Sequence, residues 1–155
     1  MISPEVLRRF PFFGFIETEF LRQIAMFSEE FRVAKDATIF EEGAPADSLY
    51  FLISGSVDLF FSVREETRPD ERKEYYTSSI NPGEAFAISA LIEPHTYAAT
   101  ARTSAPSAIL RVDAIALRQL LEDQPRLGYR MMSQIAKVSL ERLNTTRVQL
   151  AAAWS

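Results

Sequence analysis

Hydrophobic positions recur at helical spacing near both ends of this chain and alternate with polar ones between them. At the start, Ser3-Pro4-Glu5 predicts a helix entry, with Ser3 as N-cap and Pro4 in the first helical position. Val6, Leu7 and Phe10 give its apolar side, and Pro11 stops it. Phe12, Phe13, Phe15 and Ile16 follow in a loop, an aromatic load that must pack against something. Thr18 opens a second helix with Phe20, Leu21, Ile24 and Phe27 at helical spacing. From Ser28 the period drops to two. Phe31–Val33 and Thr38–Phe40 read as short strands on either side of a Lys35-Asp36 turn. Ser48–Ile53 and Ser56–Val63 form the clearest pair, joined at Ser54-Gly55. In the second of these, Val57, Leu59, Phe61 and Val63 are predicted on one face, with Asp58, Ser62 and Arg64 opposite.

Eight of the ten residues from Arg64 to Lys73 are charged, with Pro69 in the middle, which predicts a solvated loop. Glu74–Ile80 is the returning strand and carries Tyr75 and Tyr76. Asn81-Pro82-Gly83 is a turn, Ala87–Leu91 suits one helical turn, and Tyr97–Arg102 alternates as a strand. Ala108, Leu110 and Val112 mark another. Many short strands at close spacing point to a small β-barrel or jelly roll. The last third is helical again. Asp113 is placed to cap a helix carrying Ile115, Leu117, Leu120 and Leu121, and Pro125 begins a long final helix whose only glycine is Gly128.

Along that helix Tyr129, Ser133, Ala136, Leu140, Leu143, Arg147 and Leu150 recur at alternating spacings of 4 and 3, a heptad seam. Met131, Met132, Ile135 and Val138 lie off the seam and are expected to face the barrel. A helix apolar on two sides has two partners, here its own domain and a second copy of the chain. The seam residues Tyr129, Ala136, Leu140, Leu143, Arg147 and Leu150 are therefore candidates for a homodimer interface; the alternative is that all pack on one barrel. The expected organisation is helices over 1–28, barrel over 29–112 and helices over 113–155, in one structural domain.

Composition narrows the chemistry. With 155 residues the chain is long enough for one domain with a real core, and its net charge of −4 disfavours non-specific nucleic-acid binding. Cysteine is absent, which removes disulfides, iron–sulfur clusters and thiolate zinc sites. No signal peptide and no apolar run of about 20 residues is visible, so a cytosolic home without membrane insertion is expected. The single histidine, His95, all but excludes a histidine-based metal site and leaves haem ligation as a remote option, and a Ser–His–Asp triad would need it beside a nucleophile. No P-loop, G-x-G-x-x-G or G-x-S-x-G is present, so no enzyme is expected.

The stretch of greatest interest is Asn81–Arg102. A helical turn held against a strand offers unpaired N–H groups to an anion. Yet the turn has no acidic residue, and no Arg or Lys precedes Arg102. The chain is expected to end too soon after the long helix, at Ala151–Ser155, for a helix-turn-helix, so it reads no DNA by that route.

Glu42-Gly43-Ala44-Pro45-Ala46-Asp47-Ser48-Leu49-Tyr50-Phe51-Leu52-Ile53-Ser54-Gly55-Ser56-Val57 resembles the signature of cyclic nucleotide-binding domains. These include the effector domains of catabolite-activator and Fnr-type regulators and the regulatory subunits of cAMP-dependent kinases. The resemblance runs from the N-terminal helices to the final helix. It implies an α+β fold: an eight-stranded jelly roll with N-terminal helices and a long C-terminal helix that dimerises and covers the pocket. The family's phosphate cassette typically reads F-G-E-L-A-L, a short gap, then R-S-A. Laid here without a gap, Phe86, Ala90 and Leu91 match. The Gly falls on Ala87, the Glu on Ile88, the Leu on Ser89, and R-S-A on Tyr97, Ala98 and Ala99.

In the family that Glu holds the ribose and that Arg pairs with the cyclic phosphate. Ile88 has no polar side-chain atom, and Tyr97 donates one uncharged hydrogen bond. The ligand-binding candidates are Phe86, Ala87, Ile88, Ser89, Ala90, Tyr97, Ala98 and Ala99. The amides of Ile88, Ser89 and Ala90 are expected to face the pocket. To these are added Arg102 and, at the family's lid positions, Arg142 and Leu143. Arg102 and Arg142 are each either a replacement cation or a solvated or ion-paired surface residue. Three readings follow: a regulatory module with an altered pocket for a small effector other than cAMP, a ligand-free dimerisation or docking scaffold, and a cAMP or cGMP binder using replacement contacts.

Overall fold

The computed structural model describes residues 2–64, 66–68 and 70–155; Pro69, expected at the centre of the charged loop, lies outside them. The chain divides into two compact units, Met1–Arg118 and Gln119–Ser155.

The first unit opens with helix α1 (Pro4–Arg8), where the Ser3 hydroxyl accepts the Glu5 N–H at 3.3 Å as the expected cap. A 3-10 turn at Pro11–Phe13 leads to helix α2 (Thr18–Met26). Three rings of this segment share one target. Rings of Phe10, Phe12 and Phe13 lie 5.2, 5.4 and 4.8 Å from that of Phe51 on strand β3 (Ser48–Ser54). Each such pair adds about 0.5–1.5 kcal/mol beyond the area it buries.

Besides β3, the strands are β1 (Ser28–Val33), β2 (Thr38–Phe40), β4 (Val57–Arg64), β5 (Arg72–Ile80), β6 (Ala85–Phe86), β7 (Thr100–Thr103) and β8 (Ser107–Asp113). They form two four-stranded antiparallel sheets, ordered β1-β8-β3-β6 and β2-β7-β4-β5. The first strand pairs with the last, the second with the seventh, the third with the sixth and the fourth with the fifth. That is one long hairpin wound on itself, a jelly roll, as expected. Gly55 makes the β3–β4 turn at φ +100°, and a Cβ there would stand 2.5 Å from the Pro106 carbonyl oxygen, so only glycine fits.

In the strand region three expectations need correction. Val57 and Leu59 are buried, but Phe61 and Val63, predicted on the same core face, are 47% and 42% exposed. Pairing with β7 stops at Phe60, so beyond it β4 and β5 run on as a two-stranded ribbon, where the Ser62 N–H donates to Glu42 Oε1 at 2.9 Å. The charged segment is shorter as a loop than expected, because Arg72 and Lys73 already pair with Arg64 and Val63. The strand predicted from Tyr97 starts only at Thr100.

Helix α3 (Ala114–Asp123) begins in the first unit, and Asp113 Oδ1 accepts the N–H groups of Ile115 and Ala116 at 2.9 and 3.1 Å, the predicted cap. Ile115 itself is 62% exposed, not on the apolar side. The second unit is dominated by helix α4 (Pro125–Trp154). A Cβ on Gly128 would stand 2.8 Å from the Leu121 carbonyl oxygen, which fixes glycine where the two helices approach. Leu127, Met131 and Ile135 are buried on α4, whereas Met132, expected with them, is exposed. No helix among the described residues is long and apolar enough to cross a membrane.

Candidate functional site

The cassette segment is held by the Asn81-Pro82-Gly83 turn. Gly83 N–H donates to Leu52 O at 2.8 Å, and Leu52 N–H donates to Glu84 O at 3.1 Å. This fastens the turn to β3 and presents Ala85–Phe86 to Tyr50 and Phe51 as strand β6. Ala87 then adopts φ +65°, ψ +34°, the left-handed region. The resemblance places a glycine there. The backbone path is kept although the residue is alanine, at a cost of about 1–2 kcal/mol for the Cβ.

The expected helical turn follows as a 3-10 turn, Ile88–Leu91. Ala90 N–H donates to Ala87 O at 3.0 Å, so this amide, expected to face a ligand, is already engaged. An i→i+3 bond closes so short a turn at once and leaves only the amides of Ile88 and Ser89 without a partner inside it. At its far end the Ala90 carbonyl accepts Arg118 Nη1 of α3 at 2.6 Å, and the same nitrogen lies 3.4 Å from Ala46 O. Ile88 and Ser89 are half-buried, and Phe86, Ala87 and Ala90 are buried.

Tyr97 is drawn to the same cluster from the other side. The signature loop and the cassette's tail are laced together: Tyr97 N–H donates to Ala44 O at 2.9 Å, Gly43 N–H to Tyr97 O at 2.8 Å and Ala46 N–H to His95 O at 2.8 Å. The Tyr97 ring stacks on Phe40 at 4.1 Å and 21°, and Phe40 stacks in turn on Tyr50 and Phe86. The Tyr97 hydroxyl lies 3.3 Å from Asp47 Oδ1 and from Ser48 O, between which its one proton is divided, and it accepts Ser48 N–H at 3.3 Å. Burial is the main cause that raises the Tyr97 phenol well above its usual range, and it raises the Tyr50 phenol too. Both rings are neutral donors near neutral pH.

Of the other predicted residues, Ala99 packs partly buried against this cluster and Ala98 is exposed. Arg102 lies on the opposite face of the β7 strand from buried Ala101. Its guanidinium binds Glu74 at 2.9 and 3.4 Å and lies over the Phe60 ring, 4.8 Å from its centroid. The bond to Glu74 raises its pKa further. Arg142, half-buried, and Leu143, exposed, lie on α4 in the other unit, where Tyr129, Ala136, Leu140, Arg147 and Leu150 are also exposed. Among the described residues no group of three or more His, Asp or Glu side chains could hold a metal ion.

Sequence reasoning did not single out Phe40, Asp47, Ser48 or Arg118 as partners of the cassette. Asp47 and Ser48 stood in the quoted signature, but nothing in a linear pattern says that their partner lies 50 residues away.

Residues 30–124 match the profile of the cyclic nucleotide-binding domain. A candidate cyclic nucleotide-binding protein of known structure from Geobacter metallireducens GS-15 is 35% identical, with a TM-score of 0.81 over 92% of this chain and 99% of its own. The sensor domain of the transcriptional regulator DNR from Pseudomonas aeruginosa shares the fold, with 23% identity and a TM-score of 0.70 over 87% of this chain and 91% of its own. A CRP-like cAMP-activated global transcriptional regulator of Mycobacterium tuberculosis is 26% identical over 95% of this chain. The chain spans 61% of the length of that relative. The chain therefore belongs to the cyclic nucleotide-binding domain family.

Proposed function

We propose that this chain is a regulatory, signal-sensing module whose cassette takes a small effector by contacts other than those that hold cyclic AMP in its family. It is not an enzyme: its role is to change state with ligand. The observation that carries the reading is Tyr97. It stands where the resemblance puts the phosphate-binding arginine, yet its hydroxyl is engaged by Asp47 and Ser48 and its ring by Phe40. Ile88 cannot replace the ribose-binding glutamate. A hydrogen bond to a charged group contributes about 1.5–3 kcal/mol, so losing both weakens a cyclic nucleotide by about a thousandfold.

The proposed pocket comprises Phe86, Ala87, Ile88, Ser89, Ala90, Tyr97, Ala98 and Ala99. The bond to Glu74 favours a structural role for Arg102. The module acts as one domain and as a homodimer through the exposed α4 seam, uses no cofactor and works in the cytosol. The four-ring stack of Phe40, Tyr50, Phe86 and Tyr97 favours a second reading, a ligand-free scaffold, because these rings already fill the cluster.

Calorimetry of the chain with cAMP, cGMP, cyclic dinucleotides and haem separates the readings. Saturable micromolar binding of cAMP overturns the proposal. A saturable ligand of another kind, weakened by Ser89→Trp, supports it. Silence across a broad small-molecule screen leaves the scaffold.

A further inference from the structure

A cavity of about 450 Å³ opens where the ends of α2, β1, β3 and β8 meet, and no cassette residue lines it. That volume is in the range of small-molecule pockets, roughly 300–1,000 Å³. Its lining carries Glu29, Asp47 and Asp113 against one cation, Arg111. Arg111 is committed: it pairs with Glu29 and lies over the Phe31 ring. Asp113 gives one oxygen to the cap of α3, and a carboxylate has further lone pairs to offer. The field in the cavity is thus negative. At its wall stand two large apolar side chains that the fold leaves in water, Met26 at 70% and Ile115 at 62% exposure.

We propose that this cavity is a second ligand site, for a small organic cation with an apolar body, an alkylammonium or alkylguanidinium. The ammonium sits between Asp47 and Asp113, and the alkyl chain covers Met26 and Ile115. Asp47 carries the signal onward. Its Oδ1 lies 3.3 Å from the Tyr97 hydroxyl, and its backbone carbonyl accepts the N–H of Ala114, the first residue of α3, at 2.9 Å. A cation drawing on the Asp47 carboxylate loosens the Tyr97 contact on one side and shifts the start of α3 on the other. The site stands whether or not the cassette takes a ligand.

The test is an NMR titration of the 155-residue chain at pH 7 with n-pentylamine, beside pentanoate and n-pentanol, which share the tail and differ in charge. Pentylamine is expected to give saturable shifts at the amides of Ser48 and Ala114 and at the Tyr97 ring. Asp47→Asn, which keeps the acceptor oxygen, is expected to weaken binding about tenfold by removing one charge. Ile115→Ala and Glu29→Gln, both at exposed side chains, are expected to weaken it severalfold, the second by releasing Arg111. Equal shifts from pentanoate or pentanol, no saturation with pentylamine, or unchanged affinity in all three variants overturns the site. Binding that leaves Tyr97 and Ala114 unmoved overturns the link.

Discussion

Replacing Tyr97 by Phe removes a single oxygen and tests how the cassette's tail is held. The ring keeps its place on Phe40, 4.1 Å away, while three polar contacts at 3.3 Å vanish. Bonds this long are weak, at the low end of the usual 0.5–1.5 kcal/mol each. The larger cost is the Ser48 N–H, which loses an acceptor at a residue only 6% exposed; stranding a buried donor costs about 1–3 kcal/mol. The expected loss is therefore about 1–2 kcal/mol, read as a lower urea midpoint at unchanged slope. Tyr97→Ala also loses the stack and is expected to cost about 3–5 kcal/mol. A second arm uses pH. The folded-state pKa of Tyr97 is raised above the unfolded value of about 10, so above that pH the unfolded chain binds fewer protons than the folded one. Stability holds below about pH 10 and falls as pH rises further. Tyr97→Phe should flatten that fall in part, the remainder belonging to Tyr50. A Phe variant as stable as the parent with the same alkaline fall refutes this account, as does an Ala variant no worse than Phe.

Four further outcomes are expected. Ala87→Gly relieves the positive φ and, after the added entropy of the unfolded chain, should raise stability by about 0.5 kcal/mol in thermal or urea unfolding. Gly128→Ala would gain about 1 kcal/mol of helix propensity, but a Cβ 2.8 Å from Leu121 O makes it destabilising by about 1–3 kcal/mol, visible as a lower Tm. Phe51→Ala should cost about 3–5 kcal/mol, because three rings lose their common partner. Leu140→Asp with Leu143→Asp should turn a dimer into a monomer by light scattering without loss of helicity, since both side chains are exposed; an unchanged mass would remove α4 as the interface.

Much of this protein was readable along the chain. Local rules set the α1 cap at Ser3 and the α3 cap at Asp113, because each depends on neighbours within a few residues. Alternation gave most of the strands, and the resemblance gave the cassette its register. Where alternation misled, at Phe61 and Val63, the cause was non-local: burial there depended on how far β7 reaches, and β7 stops opposite Phe60. Tyr97 shows the same limit more sharply. Its residue type announced that a guanidinium was missing, but its role came from Phe40, Asp47 and Ser48, three residues from a different part of the chain. The sequence alone determined which charges the cassette lacks, since side-chain chemistry is a property of each residue. Only the tertiary structure decided what occupies their place, because packing and hydrogen bonding join groups that the chain keeps some 50 residues apart.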